Sequence, residues 1–307
     1  MEPTNTGLQN SVLANISNDL AEAVEKAALS VVRVDARRRQ SASGLVWDSS
    51  GLIVTADHVL EREDDINVGL ADGTEVTATI LGRDPGSDIA LLRVQRNGLT
   101  PFEQASDPKV GHLALAVGRP GPGGPMATIG IISAVGGPSR TWRGGRVEEW
   151  IRTDAVLYPG FSGGPLVNVS GQMLGLNTSF LSQTTSIAIP TSIISATVAS
   201  LLQHGKVRRG FLGITSQMVA LPERLQQRFN IRQDTALLIF SVQPNGPADK
   251  SGLMMGDILI RIDAESIHDS DDLQGALTRI GVGRATTLGI VRGGEIRDVS
   301  VTVGERT

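Results

Sequence analysis

The chain has 307 residues, of which 40% are hydrophobic and 20% are charged, a balance typical of globular proteins in a chain of about two domains' length. Its formal net charge is −4, from 28 basic and 32 acidic residues, which argues against a general electrostatic attraction to nucleic acid or to anionic membranes. Because the sequence contains no cysteine, disulfides, cysteine-bound zinc and a thiol nucleophile are excluded.

The N-terminal segment predicts one helix. Ser17 or Asn18 is a candidate N-cap, and "DLAEAVEKAAL" after it has apolar positions at helical spacing. Residues 1–32 lack a basic n-region and an unbroken apolar stretch. No later run approaches the roughly 18 apolar residues of a membrane-spanning helix. We therefore expect a cytoplasmic protein without membrane insertion, or a periplasmic or extracytoplasmic one if a leader has been removed.

Short β-branched runs separated by Gly, Asp, Asn and Pro follow this helix, as is typical of all-β barrels or sandwiches. In chain order they are "SVVRVDA", "SGLVWD", "GLIVTA", "INVGLA", "EVTATILGRD", "DIALLRV", "HLALAVG", "TIGIISAVGG", "EWIRTDA", "GPLVNVSGQMLGLNT" and "TSIAIP". The helical period returns in "PTSIISATVASLLQHGKV", where Gly205 is a stop signal.

The remainder of the chain predicts a second, smaller unit of mixed α/β structure. Its strands are "FLGI", "ALLIFSV", "DILIRID", "TTLGIVRGG" and "RDVSVTV", and its helices are "ALPERLQQRF", "GPADKSG" and "SDDLQGALTRI". We therefore divide the chain into an N-terminal helical segment (1–28), a mainly β domain (29–204), a linker (205–210) and a small α/β domain (211–305).

Three short stretches carry candidate catalytic residues. His58 lies in "IVTADHVL", Asp84 and Asp88 lie in "DPGSDIALLRV", and Ser162 lies in "YPGFSGGPL". Taken alone, the histidine is most simply structural and each aspartate most simply a turn residue. Together, they suggest a serine activated by a histidine whose imidazole is oriented by a carboxylate. The chain order His, Asp, Ser is that of the chymotrypsin type, whereas α/β-hydrolases and subtilisins use other orders.

The motifs "TADHV", "DIALL" and "GFSGGPL" resemble the histidine, aspartate and serine motifs of chymotrypsin-fold proteases. The stretches "TDAVLYPGFSGGPLVNVSGQMLGLNT", "IAIPTSI" and "RRGFLGI" are similar to the HtrA (Deg) family, in which a protease domain is followed by a PDZ domain. The resemblance covers nearly the whole chain. It implies a mainly β fold: two six-stranded chymotrypsin-like barrels plus a C-terminal small α/β PDZ domain.

The resemblance also implies the function and the roles of the site residues. The chain would be a serine endopeptidase that degrades unfolded or damaged proteins, without metal or cofactor, under peptide-binding regulation by the PDZ domain. His58 would be the general base, Asp88 rather than Asp84 its orienting carboxylate, and Ser162 the nucleophile. The backbone N–H groups of Gly160 and Ser162 would form the oxyanion hole.

In the PDZ-like unit, "FLGI" resembles the loop that binds a peptide's C-terminal carboxylate while the peptide adds as a strand. The resemblance therefore points to Phe211, Leu212, Gly213 and Ile214, with Leu277 of the helix "DLQGALTRI" as a candidate groove residue. The expected partners are unfolded or misfolded polypeptides and C-terminal peptides with apolar ends.

Phe161 departs from the family pattern, which usually has Asn here, while the digestive proteases have Asp. A polar side chain at this position can help to fix the oxyanion loop by hydrogen bonds, which Phe cannot make. This departure motivates an alternative function: a catalytically silent peptide-binding scaffold or holdase chaperone on a protease-like fold.

Three further expectations concern specificity, regulation and assembly. The segment "AVLYPG" before the serine contains no Asp or Glu, which predicts cleavage after small or medium aliphatic residues. The loop "GGPSRTWRGGRVEEW" resembles the family's sensor of activating peptides, with Arg140, Arg143 and Arg146 as candidate contacts. Family members commonly form trimers through N-terminal aromatic residues. Residues 1–46 contain no aromatic residue. A homotrimer of this chain would therefore form without that contact.

Overall fold

The computed structural model describes residues 12–38, 40–105, 107–137, 139–140, 146–147, 149–181, 185–207 and 210–305. Its contacts divide the chain into two compact units, Met1–Val207 and Arg208–Thr307. None of the helices within the described ranges has the length and apolar character needed to cross a bilayer.

The first helix, α1 (Val12–Ala28), extends further towards the N-terminus than the candidate caps Ser17 and Asn18 predict. Residues 12–19 are mostly exposed, so burial does not account for this extension. Ser and Asn lower helix propensity by only about 0.5 kcal/mol relative to alanine, so a helix can continue through them. Ala23 and Ala27 of α1 are buried in one apolar cluster with residues of the second barrel. The helix is therefore part of the first unit.

The first half of this unit is a closed six-stranded antiparallel barrel with the strand order β1-β2-β3-β6-β5-β4. Its strands are β1 (Val31–Asp35), β2 (Ala42–Val46), β3 (Leu52–Thr55), β4 (Ile66–Gly69), β5 (Glu75–Asp84) and β6 (Ile89–Val94). The β-branched and leucine side chains of these strands fill an aliphatic core. The strands follow the predicted runs closely.

The second half is another closed barrel, with the order β11-β14-β13-β12-β7-β8. Its strands are β7 (Leu113–Gly118), β8 (Met126–Gly136), β11 (Trp150–Thr153), β12 (Pro165–Val167), β13 (Met173–Thr178) and β14 (Ser186–Pro190), and β9 (Ser139–Arg140) and β10 (Arg146–Val147) form a separate two-stranded ribbon. Counted along the chain within each barrel, the strand order is 1-2-3-6-5-4 in both. The expected pair of six-stranded barrels is therefore confirmed.

Helix α2 (Thr191–His204) closes the first unit by packing on the first barrel's core through Ile194, Val198 and Leu201. Gly205 ends it in the left-handed region with a φ of 69°, and its N–H donates to the Leu201 carbonyl at 2.8 Å. This geometry confirms the predicted stop signal, because glycine adopts a positive φ without a steric cost.

The second unit has a sheet in the order β16-β17-β18-β20-β21, with β19 paired to β18 and a small β15–β22 ladder. Its elements are β15 (Gly210–Phe211), β16 (Ile214–Ala220), α3 (Glu223–Phe229), β17 (Thr235–Val242), α4 (Pro247–Lys250), β18 (Ile258–Ile262), β19 (Glu265–Ser266), α5 (Ser270–Ile280), β20 (Ala285–Arg292), β21 (Glu295–Thr302) and β22 (Gly304–Glu305).

The single strand predicted at "FLGI" is wrong. The chain breaks between β15 and β16, where Gly213 has a φ of 79°, a value outside the β region. Strand β16 then continues to Ala220 at the edge of the sheet. One side of β16 therefore lacks a strand partner in the described sheet.

Candidate active site

His58 and Asp88 are brought together by the pairing of two neighbouring strands. His58 lies in a single 3-10 turn (Asp57–Val59) that follows β3, and Asp88 immediately precedes β6. These strands pair with Thr55 opposite Ala90. The His58 ring nitrogen Nδ1 consequently lies 2.8 Å and 2.9 Å from the two Asp88 carboxylate oxygens.

This contact determines which ring nitrogen is free. A carboxylate only accepts hydrogen bonds, so Nδ1 of His58 carries the proton and Nε2 of the neutral ring is an acceptor. Asp88 is 1% exposed, and it also accepts the backbone N–H of His58 at 2.9 Å and the hydroxyl of Thr178. Thus the buried carboxylate is held by both barrels.

Asp84, the other aspartate considered, takes the turn role. Its carboxylate accepts the Ser87 hydroxyl at 2.5 Å and the backbone N–H groups of Gly86 and Ser87 at 3.3 Å and 3.2 Å. Asp88, by contrast, adopts a positive φ of 57°, a conformation in which Asp is enriched among non-glycine residues.

Two arginines brace the histidine turn from behind. Arg83 Nε donates to the Asp57 carboxylate at 2.5 Å, and Arg37 donates to the His58 carbonyl oxygen at 3.1 Å. The hydrogen bond to Asp57 raises the pKa of the Arg83 guanidinium above its ordinary value. Phe180 also contacts the histidine: its ring stacks on the His58 imidazole at a centroid distance of 5.5 Å.

Ser162 lies in the turn before β12, beside the end of β13. The Gly163 N–H donates to the Asn177 carbonyl at 2.9 Å, and the Ser43 N–H of the first barrel donates to the Ser162 carbonyl at 3.1 Å. The Ser162 hydroxyl oxygen lies 3.1 Å from the Ser179 hydroxyl, which in turn lies 3.5 Å from His58 Nε2. Among the described contacts there is no direct hydrogen bond between Ser162 and His58.

Gly160 gives the loop before the serine its shape. The Phe161 N–H donates to the Tyr158 carbonyl at 3.0 Å around Pro159 and Gly160, and Gly160 has a φ of 91°. A positive φ at the third position defines a type II turn, which favours glycine. A Cβ on Gly160 would also lie 2.5 Å from the Cβ of Pro120.

A hydrogen bond holds the Gly160 carbonyl against Ser43 of the first barrel. Ser43 donates its hydroxyl to this oxygen at 2.7 Å, and the same hydroxyl accepts the Arg119 N–H at 2.8 Å. Within the described part of the chain, neither the Gly160 nor the Ser162 N–H has an acceptor. Two unpaired N–H groups flanking a serine hydroxyl can stabilise an oxyanion.

Phe161 points into the second barrel. It is fully buried among the apolar side chains of that barrel, and its ring meets Tyr158 edge to face at a centroid distance of 5.8 Å. The ring lies against Gly118, where a Cβ would approach it to 2.9 Å. Apolar packing by Phe161 and the Ser43 hydrogen bond therefore hold the loop that a polar residue would otherwise fix.

A cavity of about 480 Å³ opens beside Ser179 and is lined by Val156 and Leu157 of the segment before the serine. Arg152 and Asp154 also line this cavity. They lie just before the uncharged stretch 155–160 from which the specificity was predicted. The Asp154 carboxylate accepts the Ile131 N–H at 2.6 Å, and the Arg152 guanidinium lies over the Trp150 ring at 5.1 Å. Both charged groups therefore already have partners.

The predicted peptide-binding residues of the second unit lie at the start of its sheet. Leu212 and Leu277 are both buried in the core of this unit, and a Cβ on Gly210 would lie 3.0 Å from that of Leu277. Phe211 and Ile214 are half-buried, and Gly213 forms the break between β15 and β16. The helix α5 thus packs closely against this loop.

Arg140, Arg143 and Arg146 are the arginines predicted to contact activating peptides. Arg143 lies outside the described residues, and for Arg140 and Arg146 the structure describes the backbone, which pairs them opposite one another in the β9–β10 ribbon.

Sequence reasoning missed four residues around the site. Ser43, Thr178, Ser179 and Phe180 contact Gly160, Asp88, Ser162 and His58, respectively. Hydroxyl residues are too common to stand out locally. The one available signal is position, because "NTSF" spans the end of β13, a strand that pairs with the strand after Ser162.

Fold and site together define a trypsin-like serine peptidase domain joined to a PDZ domain. The family model described as "Trypsin-like peptidase domain" matches residues 42–176, and that described as "PDZ domain" matches residues 210–303. A solved structure, "HtrA-type protease AlgW with tripeptide", is 31% identical, with a TM-score of 0.78, and the alignment covers 94% of this chain and 97% of that one. The chain belongs to the HtrA-type proteases.

Other similar proteins are also named as serine proteases. A "Probable periplasmic serine endoprotease DegP-like" of Halomonas elongata is 34% identical over 87% of this chain, and a "Probable periplasmic serine protease do/HhoA-like" of Haemophilus influenzae is 34% identical over 86%. The chain spans only 57% and 58% of their lengths. A serine endoprotease structure from Yersinia pestis is 28% identical, with a TM-score of 0.76, and covers 94% of this chain and 98% of that one. These names support a peptidase rather than a silent scaffold.

Proposed function

We propose that the chain is a serine endopeptidase in which Ser162 is the nucleophile, His58 the general base and Asp88 the residue that orients it. The observation that carries this proposal is the buried His58–Asp88 contact at 2.8 Å, which leaves Nε2 as an acceptor on the side of Ser162. We assign the oxyanion hole to the N–H groups of Gly160 and Ser162.

The chemistry follows from these positions. The Ser162 oxygen attacks the scissile carbonyl carbon while His58 Nε2 takes its proton, and the N–H groups stabilise the developing oxyanion. Asp88 stabilises the imidazolium that forms. His58 then returns the proton to the leaving amine, and water hydrolyses the acyl-enzyme by the same steps in reverse order.

The test compares the wild type with Ser162→Ala in labelling by a fluorophosphonate and in digestion of casein. We expect labelling and digestion by the wild type and neither by Ser162→Ala. Ser170→Ala is a matched control, since this serine is exposed on a turn of the same unit. If the two serine variants retain equal activity, Ser162 is not the nucleophile.

We further propose that the cavity beside Ser179 receives the substrate side chain that precedes the cut. Val156 and Leu157 favour a small or medium aliphatic side chain there, because the nearby Asp154 carboxylate is engaged by the Ile131 N–H. A peptide library should be cut after Val, Ala or Leu. Preferred cleavage after Lys, Arg, Asp or Glu would contradict this assignment.

The PDZ unit is proposed to bind apolar C-termini of unfolded or misfolded polypeptides. The free edge of β16 can accept a peptide as an added strand, with its carboxylate at the Phe211–Ile214 loop. A peptide with a free carboxylate should bind measurably better than its C-terminally amidated copy, and equal binding would rule out carboxylate recognition.

We also propose periplasmic quality control of damaged proteins as the setting, on the names of the two periplasmic relatives above. These names give no support to a cytoplasmic location. The oligomeric state, expected from the resemblance to be a homotrimer, can be measured by light scattering.

A further inference from the structure

Ser179 inserts a second hydroxyl between the proposed nucleophile and its base. Its Oγ lies 3.1 Å from Ser162 Oγ and 3.5 Å from His58 Nε2, and its backbone N–H lies 3.4 Å from Ser162 Oγ. We propose that Ser179 is a positioning residue that holds Ser162 away from His58 in the resting enzyme. This inference rests on the proposed function of Ser162 and His58.

The hydrogen-bond directions require a competition. Because Nδ1 of His58 gives its proton to Asp88, Nε2 offers a single lone pair in the ring plane. Either hydroxyl can donate to that lone pair, but not both at once. In the arrangement observed, Ser179 is placed to donate to Nε2, and Ser162 is placed to donate to Ser179.

Ser162 is bound to Ser179 at two points, since its oxygen faces both the hydroxyl and the N–H of that residue. Activation therefore requires the Ser162 side chain to leave Ser179 and to bond with Nε2 itself. The 3.1 Å contact between the two hydroxyls exceeds the usual O–H···O separation of about 2.7–2.8 Å, and the contact from Ser179 Oγ to His58 Nε2 is longer still, at 3.5 Å. These two contacts form the lock, and they are weak enough to be opened by a ligand.

Binding of substrate can free Ser162 from Ser179. Ser179 is exposed and lines the same cavity as Val156 and Leu157. A substrate side chain that fills this cavity contacts Ser179 and displaces its hydroxyl from His58. A ligand that reaches Ser162 without filling the cavity leaves the lock closed.

The experiment measures the second-order rate constant for labelling of Ser162 by a small methyl-substituted fluorophosphonate that does not fill the cavity. We expect Ser179→Ala to be labelled about 2- to 10-fold faster than the wild type, the change that one neutral hydrogen bond supports. Ser179→Thr restores the hydroxyl and returns the rate towards the wild-type value. For a peptide substrate with Val before the cut, the gain in kcat is smaller, because the substrate itself opens the lock.

Unchanged or slower labelling of Ser179→Ala overturns the proposal. A marked slowing, accompanied by a proton inventory that falls from two protons to one, would instead identify Ser179 as a proton relay. Ser179→Gly also lacks the hydroxyl and serves as a second variant should Ser179→Ala fail to fold. If neither the wild type nor Ser179→Ala shows labelling that Ser162→Ala abolishes, the proposed function itself fails. If labelling depends on Ser162 but is no faster in Ser179→Ala than in the wild type, the proposal for Ser179 fails while the proposed function stands.

Discussion

The two barrels have the same strand order but contribute different chemistry. In the first barrel, strand pairing places His58 beside Asp88, since β3 and β6 lie side by side. In the second barrel, Ser162 and Gly160 lie in a turn whose shape depends on glycine backbone conformations and on hydrogen bonds from the first barrel. The base is therefore positioned by a sheet, whereas the nucleophile and the oxyanion donors are positioned by a loop.

The largest effect is expected when the carboxylate of the first barrel, Asp88, is removed. Asp88→Asn should lower kcat/KM by about 10⁴-fold, because an amide in that place favours the wrong imidazole tautomer. A chromogenic peptide assay measures the loss. Asp84→Asn is the matched control and should affect stability more than catalysis, since the Asp84 carboxylate bonds Ser87 within its own turn. A larger catalytic loss in Asp84→Asn would reverse the assignment.

The corresponding change in the second barrel is Gly160→Ala. It should lower kcat/KM by about 10²- to 10³-fold, the usual loss for one oxyanion donor. The positive φ and the approach to Pro120 both oppose a Cβ at this position. Gly121→Ala is a nearby control, because a Cβ there meets no atom within 4 Å. Equal activity of the two variants would show that the turn shape is not required.

Thr178 joins the barrels through its hydroxyl on Asp88. Thr178→Val has nearly the same shape and should lower kcat/KM by roughly 10- to 100-fold, as expected when a buried carboxylate loses one hydrogen bond. Thr178→Ser keeps the hydroxyl and should recover most of the activity. Should Val and Ser behave alike, Asp88 needs no support from the second barrel.

Ser43 provides the weaker connection, from the first barrel to the Gly160 carbonyl. Ser43→Ala should reduce fluorophosphonate labelling by up to about tenfold, because one neutral hydrogen bond is lost. The melting temperature should also fall, since the buried Gly160 carbonyl and the Arg119 N–H lose the same partner. A lower melting temperature without slower labelling would give Ser43 a structural role only.

Much of the fold was predictable because its signals are local. Short β-branched runs between turn residues predicted the barrel strands, and the helical period with Gly205 predicted the end of α2. The N-terminal limit of α1 was not predictable, because Ser17 and Asn18 are tolerated inside a helix as well as at its N-cap. The break at Gly213 was missed because a glycine within a short apolar run is compatible with either a strand or a turn.

The sequence by itself determined the candidate triad, since His58, Asp88 and Ser162 lie in motifs whose residues are adjacent along the chain. Only the tertiary structure decided what supports them. Thr178 and Asp88 are 90 positions apart, and Ser43 and Gly160 are 117 positions apart, so no local pattern relates them. The tertiary structure also packs Phe161 into the second barrel and places Ser179 between the nucleophile and the base. These contacts depend on how the two closed barrels meet.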